Sequence, residues 1–303
     1  MNGKMSKIAF AFLSIALAAS GQDKKINTAS IDELTGLTGK LNEQENVYKV
    51  SAPRTDLKIS VDKWEMPPFM GLTSWAAFMP GMKGEAMVMG DLVLMQDEVN
   101  PVMSAAFNNG LQVTALHNHF FFDEPKVYFM HIGGEGDTAM LAKGVRAALD
   151  TVKKIRAETP QPAQSFTSSG IPPKSSLSVE TVQNTLGAKG ETKDGMFKAV
   201  FGRTVKMACG CEVGKEMGVN TWAAFAGADD NAVVDGDFVV LADELQPALK
   251  SLRKSGINIV AIHHHMVGED PRMIFFHYWG RGPAKELAQA VKAALQLTKT
   301  AAR

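Results

Sequence analysis

From Phe197 to Met207 apolar and polar residues alternate, and that two-residue period predicts a half-buried β-strand. Asn220–Phe225 and Ala232–Leu241 read as two further strands. Between Asp243 and Lys254 the period lengthens: Leu245, Leu249 and Leu252 fall close to helical spacing, and Gly256 stands where a helix stops. Ile257–Met266, rich in β-branched residues, and Pro271–Trp279 predict strands, and Pro283 to Thr298 predicts a final amphipathic helix. The same order is expected earlier in the chain, with helices around Val99–Asn108 and Thr138–Lys154. A short helix is expected ahead of each set, near Ser30–Leu34 and Val179–Asn184, the first opened by a Ser30/Glu33 capping box.

This doubled order follows a doubled sequence. Gly90-Asp91, Glu98, Pro101, His117, His119, Pro125 and His131 recur 146 residues later as Gly236-Asp237, Glu244, Pro247, His263, His265, Pro271 and His277. Trp75-Ala76-Ala77-Phe78 matches Trp222-Ala223-Ala224-Phe225, and Arg54-Thr55 matches Arg203-Thr204. Repeats of this length are domains rather than solenoid units, which are far shorter. Strands broken by helices without strict βαβ alternation indicate an α+β fold. The expectation is two homologous tandem domains, each a mostly antiparallel sheet with helices packed on it. They occupy 22–158 and 178–303, joined by a Pro/Ser-rich linker over 159–177. Ahead of them, Lys4 and Lys7 precede an apolar run from Ile8 to Ala19, and residues 1–21 have the form of a cleaved secretory signal. That run is too short to span a bilayer, so a soluble protein, periplasmic or secreted, is expected.

Charge removes one class of partner. With 32 basic and 32 acidic residues the chain is formally neutral, and it has no basic stripe of the kind nucleic acid requires. It also has no P-loop, no GxGxxG and no nucleophile elbow. A small-molecule ligand or substrate is the partner that remains.

Histidine carries the candidate chemistry. All 7 histidines fall in two sets, His117-Asn118-His119 with His131, and His263-His264-His265 with His277, at one common H-x-H-x11-H spacing. Alternation along a strand turns His117 and His119 to one face. A hairpin centred on Glu124 then brings His131 directly opposite His117, and one centred on Asp270 brings His277 opposite His263. His264 points to the other face. Three neutral imidazoles with an open position suit a catalytic divalent ion, zinc first, with iron, manganese and copper compatible with the same ligands.

Other residues extend that reading. Glu98 and Glu244 open the helix before each histidine set, either favouring the helix dipole or serving as fourth ligand or general base. Arg54 and Arg203 would suit a carboxylate substrate. Asp91 and Asp237, each after a glycine at a strand start, read as turn residues. Cys209 and Cys211 occur in the second copy alone, and with Met66, Met70, Met79 and Met82 they keep copper handling in view.

The chain resembles the LppY/LpqO-like family of bacterial exported proteins, a domain of unknown function. The resemblance rests on Gly90-Asp91 through Glu98-Val99-Asn100-Pro101, Ala115-Leu116-His117-Asn118-His119 and Pro125 through His131. In the second copy it rests on Ala261 through Met266 and Phe275 through Gly280. It implies no established activity, and this chain departs from the lipoprotein-like namesakes in having no cysteine near the cleavage point. His117, His119 and His131 with Gly133-Gly134 are more loosely similar to the zinc site of acetolactate decarboxylases, where zinc polarises keto-acid oxygens; here the glycines follow the third histidine rather than precede it. Two functions are therefore expected as alternatives: a zinc-dependent hydrolase or decarboxylase of a small carboxylate or carbonyl compound, or a non-catalytic envelope protein that handles zinc or copper.

Overall fold

In a computed structural model, residues 25–166 and 170–299 are described. The expected export signal, 1–21, lies outside the described residues. Among those described, no helix is long and apolar enough to cross a membrane.

The first copy runs α1 (Thr28–Thr35), β1 (Lys40–Asn42), β2 (Val47–Pro53), β3 (Ser60–Val61), β4 (Trp64–Glu65), β5 (Thr73–Pro80), β6 (Ala86–Met95), α2 (Gln96–Asn108), β7 (Gln112–His117), β8 (Asp123–Glu124), β9 (Val127–Gly136) and α3 (Thr138–Glu158). The second repeats the order: α4 (Val179–Leu186), β10 (Glu191–Lys193), β11 (Met196–Gly202), β12 (Val205–Met207), β13 (Glu212–Val213), β14 (Asn220–Ala228), β15 (Asn231–Val240), α5 (Ala242–Lys254), β16 (Asn258–His263), β17 (Glu269–Asp270), β18 (Ile274–Gly282) and α6 (Ala284–Leu295). The fold is α+β in two tandem copies, with antiparallel sheets as the alternation predicts.

Three local expectations change. Asn27, not Ser30, caps α1, its side-chain oxygen accepting from the Ser30 amide at 3.1 Å. The strand expected over Phe197–Met207 breaks at Arg203-Thr204, because the Arg203 amide turns to the Val219 carbonyl and β12 leaves for another sheet. Helix α2 starts at Gln96 rather than Val99, because the Glu98 carboxylate accepts from the Met95 amide at 2.8 Å and closes the first turn from within.

The two copies share one sheet of 12 strands, ordered β1-β2-β5-β6-β9-β7-β16-β18-β15-β14-β11-β10. One face packs on the helices. Strand β14 shows how: Thr221, Ala223, Phe225 and Gly227 turn one way and the less buried Asn220, Trp222, Ala224 and Ala226 the other. The inward set joins a core that includes Phe78, Val88, Met103, Phe225, Phe238 and Leu249. Across the other face, the three-stranded sheets β4-β3-β8 and β13-β12-β17 lie with smaller apolar clusters, one around Phe129 and one around Phe275. The rest of that face is open, and the histidines are on it.

The seam between the copies combines backbone and side-chain bonds. Strands β7 and β16 pair through Leu116 and Ile262. Beyond that point each strand bulges, at Thr114 and at Val260, and a side-chain amide from the other copy takes over. The Asn100 amide accepts from the Ile259 N–H at 2.8 Å and donates to its carbonyl at 3.1 Å. Gln246 does the same for Val113, at 3.1 and 2.7 Å. Each buried backbone pair is thereby satisfied. Asn100→Ala strands both polar groups of Ile259, and at about 1–3 kcal/mol per orphaned group it is expected to lower the urea midpoint clearly. A midpoint unchanged from wild type would show the seam indifferent to these bonds.

Candidate metal centre

Each centre is built on three neighbouring strands. In the second copy the ladder sets Trp222 opposite Asp237, Asp237 opposite His277, and His277 opposite Ala261. In the first it sets Trp75, Asp91, His131 and Ala115 in the same row. His131 and His277 therefore do not face His117 and His263 directly, as a tight hairpin would require; His117 is opposite Phe129 and His263 opposite Phe275. The connection is wider because Asp123–Glu124 is not a turn tip: it forms β8 and pairs with β3, Ser60 opposite Glu124. The displaced histidines remain on the same face by strand alternation, and the rings stack. His117 and His131 have centroids 5.2 Å apart at 7°, and His263 and His277 4.9 Å apart at 13°.

The chain then leaves each strand so that the second histidine folds back. His119 lies flat on Phe129 at 3.4 Å and His265 on Phe275 at 3.6 Å. That stacking brings Nε2 of His119 to 3.1 Å from Nε2 of His117, and Nε2 of His265 to 3.1 Å from Nε2 of His263. His264 turns away, its Nδ1 3.0 Å from the Met273 carbonyl.

Asp91 and Asp237 are the residues that sequence reasoning missed. They are not turn residues; they sit mid-strand, 9% and 3% exposed, and in each one carboxylate oxygen has no hydrogen-bond partner. Asp237 Oδ2 is 3.3 Å from His265 Nε2, and ligand atoms of Asp237, His263 and His265 all lie within 4.8 Å of one another. A signal was available: Gly90-Asp91 and Gly236-Asp237 recur at the same 146-residue offset as the histidines. The glycine has a packing reason. A Cβ on Gly236 would fall 2.2 Å from Tyr278 Oη and 2.4 Å from the Trp222 carbonyl, which that hydroxyl reaches as donor at 3.1 Å. Gly236→Ala is expected to lose about 1–3 kcal/mol in a denaturant melt, the usual range for overpacking; a neutral result would mean Tyr278 moves aside freely.

Burial favours the uncharged form of four imidazoles, His117, His119, His263 and His265. Burial pushes His263 down to about 4, with His277 and His265 adding to the shift. Burial likewise lowers His265, His117 and His119. Burial pushes the Asp237 carboxyl up to about 7 against the pull of His277. Neutral imidazoles aimed at one another across 3.1 Å, beside an oxygen with nothing to accept, form a donor set suited to a cation. Two ligands at about 2.0–2.1 Å on a tetrahedral ion are separated by roughly 3.3 Å, which matches these gaps.

The other candidate residues are otherwise engaged. Glu98 is fully buried and receives Arg54 in bidentate fashion at 2.7 and 3.0 Å, and Arg156 Nε is 2.9 Å away. Glu244 receives Arg203 at 2.6 Å and the amides of Leu241 and Lys299 at 2.8 Å. Among the described residues no hydrogen bond or ion pair joins Glu98, Glu244, Arg54 or Arg203 to a histidine. Arg203, while bonded to Glu244, also borders a cavity of about 1000 Å³ with Lys189, Lys215 and Lys299. On the open face Lys49 and Lys198 hold their ammonium groups 4.1 and 4.5 Å over the rings of Trp75 and Trp222. Cys209 and Cys211 are free and exposed on the β12–β13 turn. Of the methionines, Met66 is buried in the Phe129 cluster, whereas Met70 and Met82 are exposed.

Fold and site together define a duplicated α+β protein with a close histidine pair in each copy, joined by Asp237 in the second, on the open face of a shared sheet. The chain belongs to the family described as Domain of Unknown Function (DUF1259), which matches residues 29–151 and again 180–297. No curated protein matches the sequence. Among solved structures, the trimeric bacterial microcompartment shell protein PduB is 12% identical over 86% of this chain and 89% of its own, with a TM-score of 0.22. The double ringed trimeric shell protein MSM0271 from the RMM microcompartment is 12% identical over 82% and 95%, with a TM-score of 0.18. Likeness at those scores carries no argument about this chain.

Proposed function

We propose that the protein binds a divalent metal ion, zinc first, through His263, His265 and Asp237, and through His117, His119 and Asp91 in the first copy. The observation that carries this is the 3.1 Å approach of paired Nε2 atoms in each copy, with the buried Asp237 carboxylate beside the second pair. His131 and His277, stacked on the first histidine of each pair, would be placed to complete the shell of a bound ion or to move a proton. A divalent ion bound there supplies Lewis-acid polarisation of a carbonyl or carboxylate oxygen. The reading that follows is a metal-dependent hydrolase or decarboxylase of a small carboxylate or carbonyl compound. The finer likeness to the LppY/LpqO-like proteins and to the acetolactate decarboxylase zinc site belongs to the same proposal, as does export after loss of residues 1–21.

A second reading, metal handling in the cell envelope, is favoured by the exposed free thiols of Cys209 and Cys211. Elemental analysis of protein purified without a histidine tag separates the two. Zinc retained through dialysis, and lost on chelation, is the expected result. Copper held by the wild type and lost in Cys209→Ser would move the function to metal handling, and no metal after reconstitution would end both readings.

A further inference from the structure

A cavity of about 430 Å³ opens at the seam and reaches only the second centre, where His277 forms part of its wall. Its volume lies in the range of small-molecule sites, about 300–1,000 Å³. Three parts of the chain enclose it: Tyr128 from the first copy, Phe166 from the connecting segment, and Val260 and Trp279 from the second copy. The bulge in β16 is what frees Val260 to face it. Asp235 is its carboxylate, directly opposite Trp279 in the ladder. The His277 ring continues the path inward, because it stacks on His263, whose Nε2 belongs to the metal-suited cluster. The first copy has no such lining: Met89 and Gly133 occupy the positions of Asp235 and Trp279, 146 residues earlier.

We propose that this cavity is the substrate pocket of the second centre and takes a small aromatic acid, an aryl carboxylate or aryl keto acid. The ring rests against Trp279, and the carboxylate points past His277 to the ion. Three aromatic walls suit a flat apolar body, and the polar groups are confined to few positions, as orientation of one ligand requires. Asp235, at the outer end, accepts a hydrogen bond from a hydroxyl or amino substituent on the ring. This assignment of a working second site and a pocketless first one rests on the metal reading above.

The test uses the full chain loaded with zinc and titrated with phenylpyruvate by calorimetry, alongside zinc content on the same samples. Wild type is expected to bind saturably, and Trp279→Ala to weaken binding at least about tenfold. Phe166→Ala, in the connecting segment and outside the sheet, is expected to weaken it in the same direction without touching the core. Trp64→Ala, an exposed tryptophan elsewhere, is expected to leave it unchanged. Retained zinc with no saturable binding, or with binding indifferent to both Trp279 and Phe166, overturns the pocket while leaving the metal centre standing. Trp279-dependent binding in protein that holds no zinc keeps the pocket and removes the metal from it.

Discussion

Asp237→Asn is expected to lower zinc affinity at the second centre by about 10–100-fold, and His263→Ala by about 100-fold or more. The asparagine keeps the shape of the side chain and removes its charge, so it isolates what the carboxylate contributes. Asp237 is the member with most to gain from an ion: burial has raised it to about 7, and one of its oxygens accepts nothing. His263, held down at about 4, presents a lone pair at neutral pH without first losing a proton. Competition with a chromogenic chelator measures both. Glu98→Gln and Glu244→Gln serve as contrasts, since those carboxylates are bonded to Arg54 and Arg203; their zinc content is expected to match wild type. Zinc lost from the glutamine variants and kept in Asp237→Asn would reverse the ligand assignment.

The second large effect is on stability. Glu98→Ala is expected to cost about 3–5 kcal/mol in urea unfolding, the range for removing one partner of a buried ion pair. Glu98 is enclosed completely, with Arg54 on both its oxygens, Arg156 alongside, and the Met95 amide on Oε2. Truncation leaves two buried guanidinium groups short of a counter-charge and one helix without its cap. Asp56 holds Arg54 from the other side at 2.8 Å and Asp97 still pairs with Arg156, and both contacts limit the loss. Glu244→Ala is expected to cost less, because Arg203 is its only ion-pair partner among the described residues. Equal costs in the two copies would show Arg156 to be idle.

Much of this architecture is legible in the sequence. The 146-residue offset gives the two copies, and the switch from two-residue to helical period gives α5, α6 and the strands around them. The pairing of His117 with His119 is expected from strand alternation but is reached another way, because the strand ends at His117 and His119 folds back onto Phe129. What was not legible is what depends on register. A hairpin centred on Glu124 is the simplest pairing, and only the excursion of Asp123–Glu124 to β3 shows that the ladder is displaced. Gly-Asp is turn chemistry when seen alone, which hides Asp91; mid-strand, the glycine clears space for a neighbour across the ladder. Glu98 and Arg54 resemble site residues in sequence because buried ionic pairs and catalytic ones use the same residue types; here they stand 44 positions apart in sequence and 2.7 Å apart in space.

The seam has one more implication. Asn100 meets Ile259 as Gln246 meets Val113, so residue i of one half contacts j of the other and j contacts i. This is the signature of an isologous contact about a two-fold axis, the arrangement by which identical subunits form a dimer. In a true homodimer any change near the axis appears twice. Covalent fusion lifts that restriction, and the places where the halves have parted are close to the axis: Trp279 against Gly133, Asp235 against Met89, Val260 against Thr114. A symmetric scaffold has in this way acquired a left and a right.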